Sequence, residues 1–311
     1  MKSLRMLSLL LILLLLGGSA AYYARYRSSL APPPAPVEEA GDPASSPSVP
    51  TAPPASAPSG PGAFTALVYG KSGHSRQLKA YRINSGETAQ PRKIMCVFGI
   101  HGFEDAWYRD GEELVKIAQG TLEYFQAHRS ELKSYELLIV PCANPDGVYE
   151  GWTCEGPGRC QVSLGIDMNM DFDYRFKVRK NTRNLTGTKP FSSPEGAALR
   201  DLVLKERPDL IIDFQGWINS AAGDPEVSQV FRRNLGVQID PWEKVIYPGF
   251  FIGWAANYGK AVLVEYPNPY TGRGELDGHN DKKLDRRIDV GQWGFTDQTV
   301  RALKEIIDLK L

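Results

Sequence analysis

Cysteine is scarce in this chain: four residues in 311, with no Cys-x-x-Cys pair. That excludes a scaffold held by disulfides and a zinc ribbon. Histidine is equally scarce, at four residues, so any metal site built on imidazole has few candidates. An excess of either charge is missing, with 36 basic and 36 acidic side chains. The basic footprint of a nucleic-acid binder is therefore absent, and no nucleic-acid partner is expected. No internal repeat is visible. Long apolar runs are confined to the amino terminus. What the chain does have is 42% hydrophobic residues, enough for a substantial core, and 23 prolines. The prolines are unevenly spread.

Lys2 and Arg5 precede an apolar run from Met6 to Tyr23 centred on Leu9–Leu16. A basic flank followed by a leucine-rich stretch reads as an export segment. Two outcomes stay open over residues 1–30. Ser19-Ala20-Ala21 offers the small residues that a signal peptidase accepts. Counting Tyr22 and Tyr23 as interfacial aromatics brings the run to the roughly 18 residues that span a bilayer, which makes it a signal anchor. Residues 31–62 are dominated by Pro, Ala and Ser without an apolar period. Such a linker cannot bury enough surface to offset chain entropy and is expected to be extended and solvated. At about 3 Å per residue it reaches roughly 100 Å. The expectation is a single-pass membrane protein with its globular domain outside the cytoplasm, or a secreted or periplasmic one after cleavage.

Residues 63–311 have the size of one domain. Strands are expected at Ala66–Tyr69, Lys79–Ile83, Ile94–Ile100, Leu137–Pro141, Leu210–Phe214 and Ala261–Glu265, and helices at Gly111–His128, Pro194–Glu206 and Thr296–Leu309. Strands separated by helices predict an α/β domain whose mixed sheet is mostly parallel and flanked by helices, with chemistry at the carboxyl ends of its strands.

Three of those ends carry polar residues that a buried strand does not need. Gly99-Ile100-His101-Gly102-Phe103-Glu104 places a histidine and a carboxylate three apart at a strand mouth, where both can reach one metal. Alone, His-x-x-Glu recurs by chance, and a surface loop is the plainer explanation. Asp209–Gly216 is an apolar strand ending in Asp213-Phe214-Gln215, and Ala261–Tyr266 ends in Glu265. A carboxylate there is costly unless it is paired or catalytic. Cys142-Ala143-Asn144-Pro145-Asp146-Gly147 reads as a turn.

Taken in order, His-Gly-x-Glu, Asn-Pro-Asp-Gly, Gly165-Ile166-Asp167-Met168-Asn169, Ser192-Ser193-Pro194-Glu195, Asp-x-Gln and the strand-terminal Glu265 resemble the carboxypeptidase A–like zinc peptidases. The resemblance runs from about Lys93 to Tyr266. Tyr247–Trp254 followed by Glu265 looks most like the bacterial murein tripeptide amidases, which cut the γ-D-glutamyl–diaminopimelate bond of cell-wall peptides. The resemblance implies a zinc carboxypeptidase-like fold, a Zn²⁺ cofactor held by His101, Glu104 and the residue at Gln215, and Glu265 as the general base. It implies Arg159 for the developing oxyanion and Asn169 and Tyr247 for binding substrate. The partner is then a peptide or murein peptide, and the chain a monomer.

Two positions depart from the family. Gln215 stands where the family has its third ligand, a histidine. An amide oxygen is a weaker zinc donor than imidazole, and a dead site that only binds peptide is the competing outcome. The net charge of the ligand set is unchanged, so the loss should fall on metal affinity. Met170 stands where exopeptidases carry an arginine for the substrate's terminal carboxylate, which tells against an exported carboxypeptidase of proteins. The stretch Tyr174–Arg183 supplies Arg175, Lys177, Arg179, Lys180 and Arg183, a rim for an acidic substrate or a solvated loop. Cys154 and Cys160 flank a short loop that a disulfide could close, while Cys96 and Cys142 read as buried thiols. His74, His128 and His279 have no partner at ligand spacing.

Overall fold

The apolar run Ile94–Phe98 needs cover on both faces, and the chain provides it by building a sheet between two layers of helices. The computed structural model describes residues 64–104, 106–107, 109–268 and 294–310. The export segment, the linker and His279 lie outside them. In chain order the elements are strands β1 (Phe64–Lys71), β2 (Gln77–Asn84) and β3 (Arg92–Phe98), helix α1 (Gly111–Ala127), β4 (Tyr135–Val140), α2 (Pro145–Glu150), β5 (Thr153–Cys160) and α3 (Pro194–Glu206). Then come β6 (Leu210–Gly216), β7 (Ser220–Gly223), α4 (Pro225–Leu235), β8 (Gln238–Ile239), the short helices α5 (Trp242–Val245) and α6 (Phe251–Ala255), β9 (Lys260–Tyr266) and α7 (Phe295–Leu309).

Eight strands form one sheet in the order β1-β2-β4-β3-β6-β9-β7-β8. The central four, β4, β3, β6 and β9, run parallel; β1 pairs antiparallel with β2 and β2 with β4, while β7 is antiparallel to β9 and parallel to β8. The sheet is thus mixed with a parallel centre. Every residue of β4 and β6 is buried, as strands covered on both faces require. From β3 the chain moves one way to β4, and later returns on the other side through β6 to β9. Between β3 and β6 the order reverses. Such a switch point opens a crevice beyond the strands' carboxyl ends.

Strand alternation sorts the core into two layers. Cys96, Phe98, Ile212, Phe214, Val262 and Val264 pack on one face against Leu114 and Phe125 of α1, Phe231 of α4 and Leu303 of α7. Phe98 and Phe214, in register, stack at 4.4 Å. Met95, Val97, Ile211 and Leu263 face the other way, against Leu199 of α3 and Phe251 and Trp254 of α6. Asp213, Gln215 and Glu265 continue this second face toward the crevice.

Helix α4 is not among the expected elements, although its ends are marked. Asp224 accepts hydrogen bonds from the Glu226 and Val227 amides, Pro225 opens the helix, and Gly236 closes it at φ 74°. The expected turn at Asn144 instead starts α2, with Asn144 Oδ1 accepting from Gly147 N at 2.9 Å. Cys154 and Cys160 are not bridged, and no disulfide joins any of the four cysteines. The Cys160 thiol lies 3.4 Å from the Arg183 carbonyl. Among the described residues no helix is long and apolar enough to cross a membrane.

Gly102 holds the loop after β3 in place. A Cβ there would lie 2.3 Å from Gly147 C and from Gly158 O, both backbone atoms that cannot swing aside. Its amide also donates to Gly158 O at 2.9 Å. Gly102→Ala should therefore cost about 1–3 kcal/mol in urea unfolding, the usual penalty of overpacking. A change within about 0.5 kcal/mol would show that the loop gives way freely.

Candidate metal centre and active site

His101 and Glu104 sit in the loop that leaves β3, Asp213 lies midway along β6 with Gln215 near its end, and Glu265 lies near the end of β9. Gln215 and Glu265 are in register across the parallel pair and so share a face. The sheet thus gathers at one edge residues far apart in the chain. His101 is buried and held from both sides. Its Nδ1 lies 3.0 Å from Glu104 Oε2, and its Nε2 lies 3.0 Å from Asp167 Oδ1. Asp167 is fully buried and also accepts from the Asn169 amide. Arg159, on β5, places Nη1 3.7 Å from Glu104 Oε2 and Nε 3.9 Å from Asp167 Oδ2.

Charge dominates this site. Burial and Arg159 push the His101 ring toward neutrality, but Glu104 and Asp167 carry its pKa up to about 9. Burial alone would raise the Asp167 carboxyl, yet His101, Arg159 and the Asn169 amide hold it below its ordinary value. Burial drives Asp213 up to about 7, with Glu104 adding to the rise and the Gln215 hydrogen bond and His101 opposing it. Glu265 is raised well above the carboxylate range by burial first and then by the charges of Glu104 and Asp213.

The expected site residues fall into two groups. His101, Glu104, Arg159 and Glu265 act on one another electrostatically, and Gln215 joins them through Asp213, to which its Nε2 donates at 2.8 Å. Asn169 is buried beside Asp167. Its Oδ1 accepts from Phe251 N at 3.1 Å, and its Nδ2 is buried with no hydrogen-bond partner. Tyr247 is 52% exposed with its ring edge-on to Phe250, and Arg175 is exposed with φ 51°. Both therefore lie at the surface, apart from the buried group. Met170 is buried in the second core layer.

Asp167 and Asp213 were given no role in the sequence reading, although both stand within its motifs. The available signal was their spacing: each lies two residues before an assigned site residue. His74 corrects another expectation, because it does have partners. Its Nδ1 is 2.6 Å from Glu150 Oε2, and His74, Asp146 and Glu150 bring ligand atoms within 4.8 Å of one another. Arg76 pairs with both carboxylates, at 3.2 Å from Asp146 Oδ1, so this anionic group is already matched to a guanidinium.

A family model of zinc carboxypeptidases matches residues 57–222. The chain belongs to the zinc carboxypeptidase family. The matched span contains His101, Glu104, Arg159, Asn169 and Gln215, while Tyr247 and Glu265 lie beyond it. Among curated proteins, bacteriocin BCN5 of Clostridium perfringens is 34% identical over 266 residues, covering 78% of this chain and 28% of that protein. This chain therefore spans little more than a quarter of its relative's length. Carboxypeptidase A from Helicoverpa armigera shares the fold at TM-score 0.58 and 18% identity, over 78% of this chain and 68% of that one. Murein-tripeptide amidase MpaA from Escherichia coli O157 does so at 0.52 and 19%, over 80% and 92%.

Zinc is the family's metal, and the donors here suit a dication. Glu104, Asp167, Asp213 and Glu265 face two cationic groups, Arg159 and His101. Glu104 Oε1, Asp213 Oδ1 and Glu265 Oε2 are buried without a hydrogen-bond partner. Oxygens in that state are costly unless a cation meets them. His101 offers Nδ1 while Asp167 fixes the ring through Nε2, an arrangement common to zinc-binding imidazoles.

Since imidazole is the better zinc donor, Gln215→His should tighten zinc binding by about tenfold or more in chelator competition. Equal affinity in the two proteins would remove residue 215 from the ligand set.

Proposed function

We propose that this metallopeptidase hydrolyses an amide bond in murein peptides, using zinc and Glu265 as general base. What carries this reading is the buried cluster at the ends of β3, β6 and β9, where an acidic group faces a histidine, an arginine and unpaired carboxylate oxygens. His101, Glu104 and Gln215 would hold the metal. When bound, zinc supplies Lewis acidity to the scissile carbonyl and to the attacking water.

The chain's own groups do the rest. Glu265, with Oε2 free of hydrogen bonds, takes a proton from water as its oxygen attacks the carbonyl carbon. Burial favours the protonated carboxyl that results, so the same group can deliver that proton to the leaving nitrogen as the C–N bond breaks. The Arg159 guanidinium stabilises the charge developing on the carbonyl oxygen. Asn169 Nδ2 donates to the substrate, and Tyr247 offers its exposed ring as a contact for substrate at the rim. Asp167 keeps the His101 ring oriented.

Several features bear on the substrate. A buried thioether at Met170 cannot grip a terminal carboxylate, which disfavours a carboxypeptidase of proteins. Arg175 and the neighbouring basic side chains offer an exposed rim to the carboxylates of a murein peptide. Residues 1–30 as an export segment and 31–62 as a linker would carry the 63–311 domain through the membrane and into the wall, whether anchored or released. The zinc carboxypeptidase fold shared with a murein-tripeptide amidase is compatible with this substrate. One observation favours a second reading: the amide at position 215 is a weaker donor than imidazole, so a peptide-binding module without turnover is the alternative.

Glu265→Gln keeps the side chain's shape but cannot take the proton. Release of diaminopimelate from a murein tripeptide should fall on the order of a thousandfold with binding largely intact. Retained turnover would show that another carboxylate is the base. Wild-type protein that binds the tripeptide with zinc present and releases nothing would instead establish the binding module.

A further inference from the structure

The Gln215 amide has two chemically opposite ends, and only its oxygen can face a cation. The NH₂ end would present partial positive charge to it. In an amide-for-imidazole site, the outcome therefore depends on what holds the far end. Here it is Asp213, two residues earlier on the same strand and the same face, fully buried. Gln215 Nε2 donates to Asp213 Oδ2 at 2.8 Å. With a dication in the crevice offsetting the burial that disfavours its charge, Asp213 would be a carboxylate, whose oxygen accepts from N–H and repels a carbonyl, so this contact would fix the sense of the amide.

Resting on the zinc reading above, we propose that Asp213 is a positioning residue that makes Gln215 usable as a metal ligand. It excludes the reversed amide, and as a charged acceptor on the nitrogen it draws electron density toward the amide oxygen. Both effects strengthen a donor that is weak on its own. Its place in the strand favours this positioning role over direct ligation. Asp213 lies one residue pair deeper in the strand than Gln215, behind the point where the strand ends meet.

A role confined to folding makes the opposite forecast. A buried carboxylate whose Oδ1 has no hydrogen-bond partner is a burden on the metal-free fold, so removing its charge should not weaken that fold. The test is Asp213→Asn in the full chain, made both with Gln215 and with Gln215→His. Zinc affinity is read by chelator competition, and thermal unfolding is followed in excess chelator. Zinc binding should weaken about 10–100-fold with Gln215 present, since outer partners of metal ligands carry effects of that size. With Gln215→His the loss should be about tenfold smaller, because an imidazole nitrogen needs no amide sense selected. The unfolding midpoint in chelator should stay level or rise. Equal losses in the two backgrounds would mean that Asp213 acts by charge alone and would overturn the proposal. A lowered midpoint with unchanged zinc affinity would overturn it in favour of a structural role. Wild-type protein that takes up no zinc would overturn this proposal and the zinc reading together, whereas zinc uptake with equal affinities sinks only the role of Asp213.

Discussion

Four carboxylates, Glu104, Asp167, Asp213 and Glu265, are buried around one imidazole and one guanidinium, and most features of the crevice follow from that imbalance. The His101–Asp167 and His101–Glu104 hydrogen bonds add to the backbone ties at Gly102 in holding the loop after β3 against the crevice. Burying several like charges is tolerable only if they are neutralised by protons, by Arg159 and His101, or by a metal. The raised Asp213 and Glu265 carboxyls show how strongly the protein environment resists their charge.

The sheet makes this imbalance possible. Parallel β3, β6 and β9 end side by side, and their alternation aims Asp213, Gln215 and Glu265 away from the aromatic layer of Phe98, Phe214 and Tyr266. One layer supplies cohesion through stacked rings, and the other leads to the polar edge. The glycines behind His101 let the β3 loop, α2 and β5 approach backbone to backbone. That close packing brings Arg159 to the site from an element outside the main sheet.

Much of this was legible in the sequence, for reasons that differ by residue. Fully buried strands announce themselves as apolar runs, so β3, β4, β6 and β9 were found to within a few residues. His101, Glu104 and Glu265 stood out because they interrupt or end those runs. Asp213 did not, since an acid two residues inside a strand has no local meaning until Gln215 and the strand order are known. Asp167 was visible only as part of a motif, and its work on His101 spans 66 residues of chain. The short strands β7 and β8 carry too little periodicity to be read, and α4 was passed over despite its capping residues at both ends. The placing of Tyr247 and Arg175 at the surface depends on loop geometry that no spacing encodes.

The chemistry of the crevice depends on its holding a metal despite Gln215. The measurement that tests this most directly is metal analysis of the full chain purified, stripped with chelator and then dialysed against zinc. About one zinc per chain should be retained, and replacing His101 by alanine should abolish retention. A wild-type protein that stays metal-free in excess zinc, or one that keeps its zinc after loss of His101, would contradict the account.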